Sequence, residues 1–133
     1  MPTGSNVVDS SAWLEYLAEG PNASDFAGVI EAVDKLVVPT LVITEVARRL
    51  DAQGRRRLIP QVVAHMRQGR VVPLDDHLAL EAATVGRLHH LALADSVIYA
   101  TAQASGAVVW TQDRDFQLLP RVEFRPHRRG RAN

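Results

Sequence analysis

Cysteine is absent from this chain, lysine occurs once, at Lys35, and aromatic side chains make up only 5% of its 133 residues. The first absence excludes a disulfide framework and any thiolate metal site. It also fits a reducing cytoplasm, where the protein is expected to reside. Long apolar runs are missing too. The longest, KLVVPTLVI, is broken by Pro39 and Thr40 and falls well short of the roughly 20 residues that cross a bilayer, so no membrane association is expected. MPTGSN carries no basic region followed by an apolar stretch, and no secretory leader is expected. No glycine-rich phosphate loop, internal repeat or low-complexity linker is found.

A charge excess of either sign is likewise lacking. Fifteen basic residues balance 15 acidic ones, so the bulk electrostatics do not announce a nucleic-acid partner as a strongly basic domain would. Two local basic runs stand out: Arg55, Arg56 and Arg57, and the segment RVEFRPHRRGRAN with five arginines and one glutamate. Either could touch phosphate, but solvated surface is the plainer reading of each.

What is present is one domain's worth of chain, enough to bury about two thirds of its unfolded surface. Residues 1–133 are read as a single domain, with 1–5 an N-terminal extension and 127–133 a basic, flexible tail. Short β-branched clusters mark strands near Asn6 to Val8, Leu36 to Val38, Arg70 to Pro73, Ala107 to Trp110 and Val122 to Arg125. Between them, apolar residues recur every three to four positions: Trp13, Leu14 and Leu17; Phe26, Val29, Ile30 and Val33; Val42, Ile43, Val46 and Leu50. That spacing predicts helices. Two more are expected around Leu58 to Met66 and Leu78 to Leu88, and Gly54, Gly69 and Gly106 sit where helices should stop. Alternation of this kind predicts an α/β domain with a central, mostly parallel five-stranded sheet flanked by helices.

In open sheets of this class ligands bind at the carboxyl ends of the strands, and acids gather there. Asp9 ends NVVD, where capping the following helix is the plainer role; no capping box reinforces it, since Ala12 stands three positions on. In PTLVITEVARRL, Thr40 is placed to cap a helix whose apolar arc Glu45 borders, with a pair to Arg48 or Arg49 as the bland alternative. Asp95 lies in LALADSVIYATAQASG on a stripe formed by Leu91, Asp95, Ile98 and Ala102, the middle of an apolar, sheet-facing surface. A carboxylate buried there costs several kcal/mol unless it is paired, hydrogen-bonded or bound to a cation. Finally, VVWTQDRDF ends a strand and delivers Thr111, Asp113 and Asp115 to the next loop, where Asp also favours turns.

Two carboxylates about 6 Å apart repel by roughly 3 kcal/mol at an effective dielectric near 20. Four on one edge therefore call for something positive. With one lysine, no cysteine and no zinc-like histidine spacing, a hard divalent cation such as Mg²⁺ or Mn²⁺ is the economical partner. A phosphorelay receiver domain also clusters acids at strand ends but needs a late lysine, which Lys35 is not.

The set VVDSSAWLEYL, TEVARRL, LALADSVIYATA and WTQDRDF, in this order, resembles the PIN-domain nucleases, most closely the VapC-type ribonuclease toxins of toxin–antitoxin modules, from Asn6 to about Pro126. The resemblance implies that Asp9, Glu45, Asp95 and Asp113 are the catalytic carboxylates and hold one or two Mg²⁺ or Mn²⁺ ions. Asp115 would be a further ligand, a supporting residue or a turn residue, and Ser10 and Thr111 would orient a carboxylate or a water. It implies metal-dependent hydrolysis of structured RNA that inhibits translation, a cognate antitoxin as partner, and a homodimer. Tyr99, where a small residue is common, and the extra residues before the first strand depart from the family's pattern. Outside the four acids the chain carries 15 basic and 11 acidic residues, which suits a polyanionic substrate. A stand-alone RNA-processing nuclease and a catalytically silent RNA-binding module of the same fold are the alternative readings.

Overall fold

The structure, a computed structural model, describes residues 4–128. Its five strands are β1 (Asn6–Val8), β2 (Leu36–Pro39), β3 (Arg70–Val72), β4 (Val108–Thr111) and β5 (Val122–Phe124), and its six α-helices are α1 (Ser10–Leu17), α2 (Ala23–Glu31), α3 (Thr40–Ala52), α4 (Ile59–Met66), α5 (Asp76–His89) and α6 (Leu93–Ala104). The strands form one sheet in the order β3-β2-β1-β4-β5, and every pairing is parallel. The sheet thus grows outward from β1 first on one side, through β2 and β3, and then on the other, through β4 and β5. The direction reverses between β1 and β4, and this reversal opens a crevice at their carboxyl ends.

The expected strands and helices are all found, with shifts of a residue or so. Central strands buried on both faces read as continuous apolar runs, and all of Leu36, Val37, Val38 and Pro39 are buried. Helices instead show one buried stripe: Val42, Val46 and Leu50 on α3, Val62 and Met66 on α4. These pack with Trp13, Phe26, Ile30, Ile98 and Val109 into a single core. Among the described residues no helix is long and apolar enough to cross a membrane.

Four local expectations are corrected. Thr40 is not a cap: Pro39, held extended at φ −62°, ψ 137°, is the N-cap residue of α3, and helical geometry begins at Thr40 itself, with no side-chain capping bond. Leu91 lies outside α6, because His90 adopts the left-handed conformation (φ 55°) that ends α5. Thr111 is the last residue of β4 rather than part of the loop. Gly69 has no positive φ; its role is close approach, since a Cβ there would stand 2.7 Å from the carbonyl oxygen of Leu36.

Of the presumed extension, Ser5 is buried and its carbonyl accepts from Val108 N at 3.0 Å, while residues 1–3 lie outside the described part. Arg128, in the presumed flexible tail, donates to the Pro21 carbonyl at 2.8 Å, and 129–133 lie outside the described residues. In the first basic run Arg55 reaches the Leu17 carbonyl, whereas Arg56 and Arg57 are exposed.

Candidate metal centre

Asp9 follows β1 directly, at the crevice. Its N–H donates to the Trp110 carbonyl at 3.1 Å, which ties it to β4, and its side chain is 3% exposed. The capping role is real: Oδ1 accepts from Ala12 N at 3.0 Å and from Ser11 Oγ at 2.7 Å. Oδ2 faces the other way and takes the Thr111 hydroxyl at 2.6 Å. Thr111, wholly buried, in turn accepts the Asp113 N–H at 2.8 Å. One hydroxyl therefore couples the β1 carboxylate to the loop after β4.

In that loop Asp113 accepts from Asp115 N at 2.9 Å and caps the short turn Arg114–Phe116. The turn role expected of these two aspartates is thus fulfilled, and it also aims both at one place. A helix that leads into a parallel strand runs antiparallel to it, so the N-terminus of α6 lies at the same sheet edge. Asp95 is in its first turn. Carboxylate oxygens of Asp95, Asp113 and Asp115 lie within 4.8 Å of one another. Asp95 is half-buried rather than set in the middle of an apolar stripe, since losing Leu91 from the helix puts it at the open end. Glu45, one and a half turns into α3, accepts the Ser10 hydroxyl at 3.0 Å, and among the described residues neither Arg48 nor Arg49 pairs with it.

Crowding shows in the acidities. Burial, then the charges of Asp113, Asp115, Asp9 and Glu45, push the Asp95 carboxyl up to about 7. Burial pushes Asp9 up to about 6, against the opposing hydrogen bonds from Thr111, Ser11 and Ala12. Hard anionic oxygens that resist ionising together form a donor set that a divalent cation would neutralise.

A pH dependence follows. Both carboxyls hold their protons more tightly in the folded chain than at the unfolded value of 3.8. The folded state therefore binds more protons between about pH 4 and 7, and stability falls as pH rises through that window. Metal-free protein is expected to melt progressively lower from pH 4.5 to 7.5, as scanning calorimetry in EDTA would measure; a flat or rising profile would contradict the crowding described above.

Ser11, which bridges Asp9 to the Gln112 N–H at 3.0 Å, escaped sequence reasoning because Ser10 beside it offered the same hydroxyl. Tyr99 is buried, donates to the Pro120 carbonyl at 2.8 Å and packs against Phe116, whose turn carries Asp115. Thr111→Val keeps the shape but leaves the Asp113 N–H without its acceptor and Asp9 without a donor. It is expected to cost about 1–3 kcal/mol, read from urea denaturation, and a wild-type midpoint would refute the coupling.

A protein-family model described as the PIN domain matches residues 7–122. Among solved structures, Mycobacterium tuberculosis VapC20, described as a toxin that cleaves the sarcin–ricin loop, superposes with a TM-score of 0.74 at 20% identity, covering 92% of this chain and 100% of that one. A toxin–antitoxin complex from Klebsiella pneumoniae gives 0.73 at 17% identity over 90% of this chain and 96% of that one. DNA-bound VapBC from Salmonella typhimurium gives 0.68 at 13%, over 93% and 98%. At such identities the likeness is one of fold. No curated protein sequence matches the chain significantly.

Proposed function

The chain belongs to the PIN domain family, and from that premise we propose that it is a Mg²⁺- or Mn²⁺-dependent endoribonuclease, the toxin of a toxin–antitoxin module, cutting structured RNA in the cytoplasm and so inhibiting translation. The observation that carries this reading is the meeting of Asp95, Asp113 and Asp115 oxygens within 4.8 Å at the crevice where Asp9 also lies. Solved structures of the same fold that are described as toxins and as toxin–antitoxin complexes support the biological role. A cognate antitoxin and a second copy of the chain are the proposed partners.

Asp95, Asp113 and Asp115 would hold the cation, with Asp9 and Glu45 completing the acidic set. When bound, the cation supplies Lewis acidity toward a phosphodiester and lowers the pKa of an attacking water toward neutrality. The protein's part is positional: Thr111 fixes Asp9 and the Asp113 backbone, Ser10 orients Glu45, and a carboxylate of the set takes the water's proton.

Asp113 also caps its turn and is half-buried, whereas Asp115 is exposed. Asp113→Asn is therefore expected to lower cleavage by about 100-fold and Asp115→Asn by about 10-fold. The reverse order would make Asp115 the principal ligand.

The purified chain, freed of any antitoxin, should cut total cellular RNA into discrete fragments with Mg²⁺ or Mn²⁺ and not with EDTA. Mapping the fragment ends would name the target. Absence of cleavage with every metal, despite measurable Mn²⁺ binding, would favour a silent RNA-binding module instead. Discrete cleavage by a chain that copurifies with no antitoxin would favour a stand-alone processing nuclease.

A further inference from the structure

We propose that Asn22 is a positioning residue for the acidic centre, acting through Gln112 on the loop that bears Asp113 and Asp115. The inference rests on the metal-nuclease reading. Asn22 precedes α2 as its N-cap residue, yet its side chain makes no capping bond. It is 1% exposed instead, and a polar group so deeply buried must spend its hydrogen-bonding capacity elsewhere.

It does so across the chain. Nδ2 donates to Gln112 Oε1 at 2.6 Å and to the Pro126 carbonyl at 2.9 Å, and Oδ1 accepts from Arg128 Nε. Its own N–H is taken by Glu15 Oε2 at 2.7 Å, and Glu15 is itself buried. The α1–α2 connection, the loop after β4 and the segment after β5 are thereby fastened at one side chain.

Gln112 stands between Thr111 and Asp113. Its backbone is held by Ser11, which also holds Asp9, and its side chain is held by Asn22. Fixed at both ends, it cannot let the loop swing away, although Asp113 and Asp115 are repelled by Asp95. The charges of Asp113 and Asp115 oppose that of Asp95, and the Asn22–Gln112 bond fixes where the loop that carries both of them stands.

The test is a double-mutant cycle read in Mn²⁺ affinity by titration calorimetry, at a temperature where circular dichroism shows each variant folded. Asn22→Ala and Gln112→Ala are each expected to weaken Mn²⁺ binding about 10-fold, and the double variant no further than either alone, because the two act as one strut. Arg128→Ala, which removes a donor to Asn22 Oδ1 but leaves the Asn22–Gln112 bond in place, is expected to stay within about 2-fold of wild type. Wild-type affinity in both single variants, or fully additive losses, would overturn the proposal. If Asn22→Ala does not fold, Gln112→Ala decides alone, since a wild-type affinity there removes the link. A wild-type chain that binds no Mn²⁺ would instead bring down the metal reading and this inference with it.

Discussion

The Asp95→Asn variant is expected to lose RNA cleavage by on the order of 10³-fold, the equivalent of the several kcal/mol of transition-state stabilisation that a correctly held cation supplies. It is also expected to fold more stably than wild type at pH 8 in EDTA. The second effect identifies the cause of the first. Burial and four neighbouring carboxylates raise the Asp95 pKa to about 7, so above that pH its ionised form opposes folding, and the amide removes the opposition. Because the position is half exposed, solvent screening limits the gain to about 1 kcal/mol, or a few degrees in Tm. Calorimetry and an RNA cleavage assay on the same preparation decide the matter. An Asn variant that melts lower while binding Mn²⁺ normally would make Asp95 a structural residue.

Asp9→Asn is expected to abolish cleavage to a similar extent with little change in stability. Asn caps helices as well as Asp, so the bond from Ala12 N survives, and the buried charge disappears. Against this, an amide nitrogen turned toward Thr111 can only donate, so the Thr111 hydroxyl, which now gives its hydrogen to Asp9, is left without an acceptor. The two changes oppose each other and should leave stability within about 1 kcal/mol. Asp9→Ala keeps neither the cap nor the Thr111 partner and should lose about 2 kcal/mol or more. Comparing urea midpoints of the two variants therefore separates the charge from the scaffold. An active Asp9→Asn would remove this carboxylate from the catalytic set.

Much of this arrangement was legible in the residues. Leu36–Val38 announced a strand because nothing polar interrupts it, and the three-to-four spacing of Val42, Ile43, Val46 and Leu50 announced a helix face. Asp9, Asp113 and Asp115 stood out because they followed strands; the apolar stripe read around Asp95 drew attention to the right residue for a reason the structure corrects, since Asp95 sits in the first turn of α6 at its open end. What stayed hidden depended on turns or on distance. The left-handed His90 that expels Leu91 from α6 leaves no periodic trace, because any short polar run looks the same until its φ is known. Whether Asp113 or Asp115 faces Asp95 could not be read from their spacing, as the short turn between them brings both. Ser11 and Asn22 act over 101 and 90 positions, and one sequence carries no local signal for such a bond.

The wholly parallel sheet has a bearing on how the protein is made. β1 finds its β4 partner only after about a hundred intervening residues, and Asp9 meets Thr111 across 102. Pairings so remote in sequence form slowly and late. A nascent chain still short of β4 already carries Asp9, Glu45 and Asp95, but it has neither the strand that flanks β1 at the crevice nor the loop that completes the acidic cluster. The acidic cluster of the proposed nuclease can therefore assemble only once the chain through Asp115 has left the exit tunnel, and products terminated before Asp113 lack it.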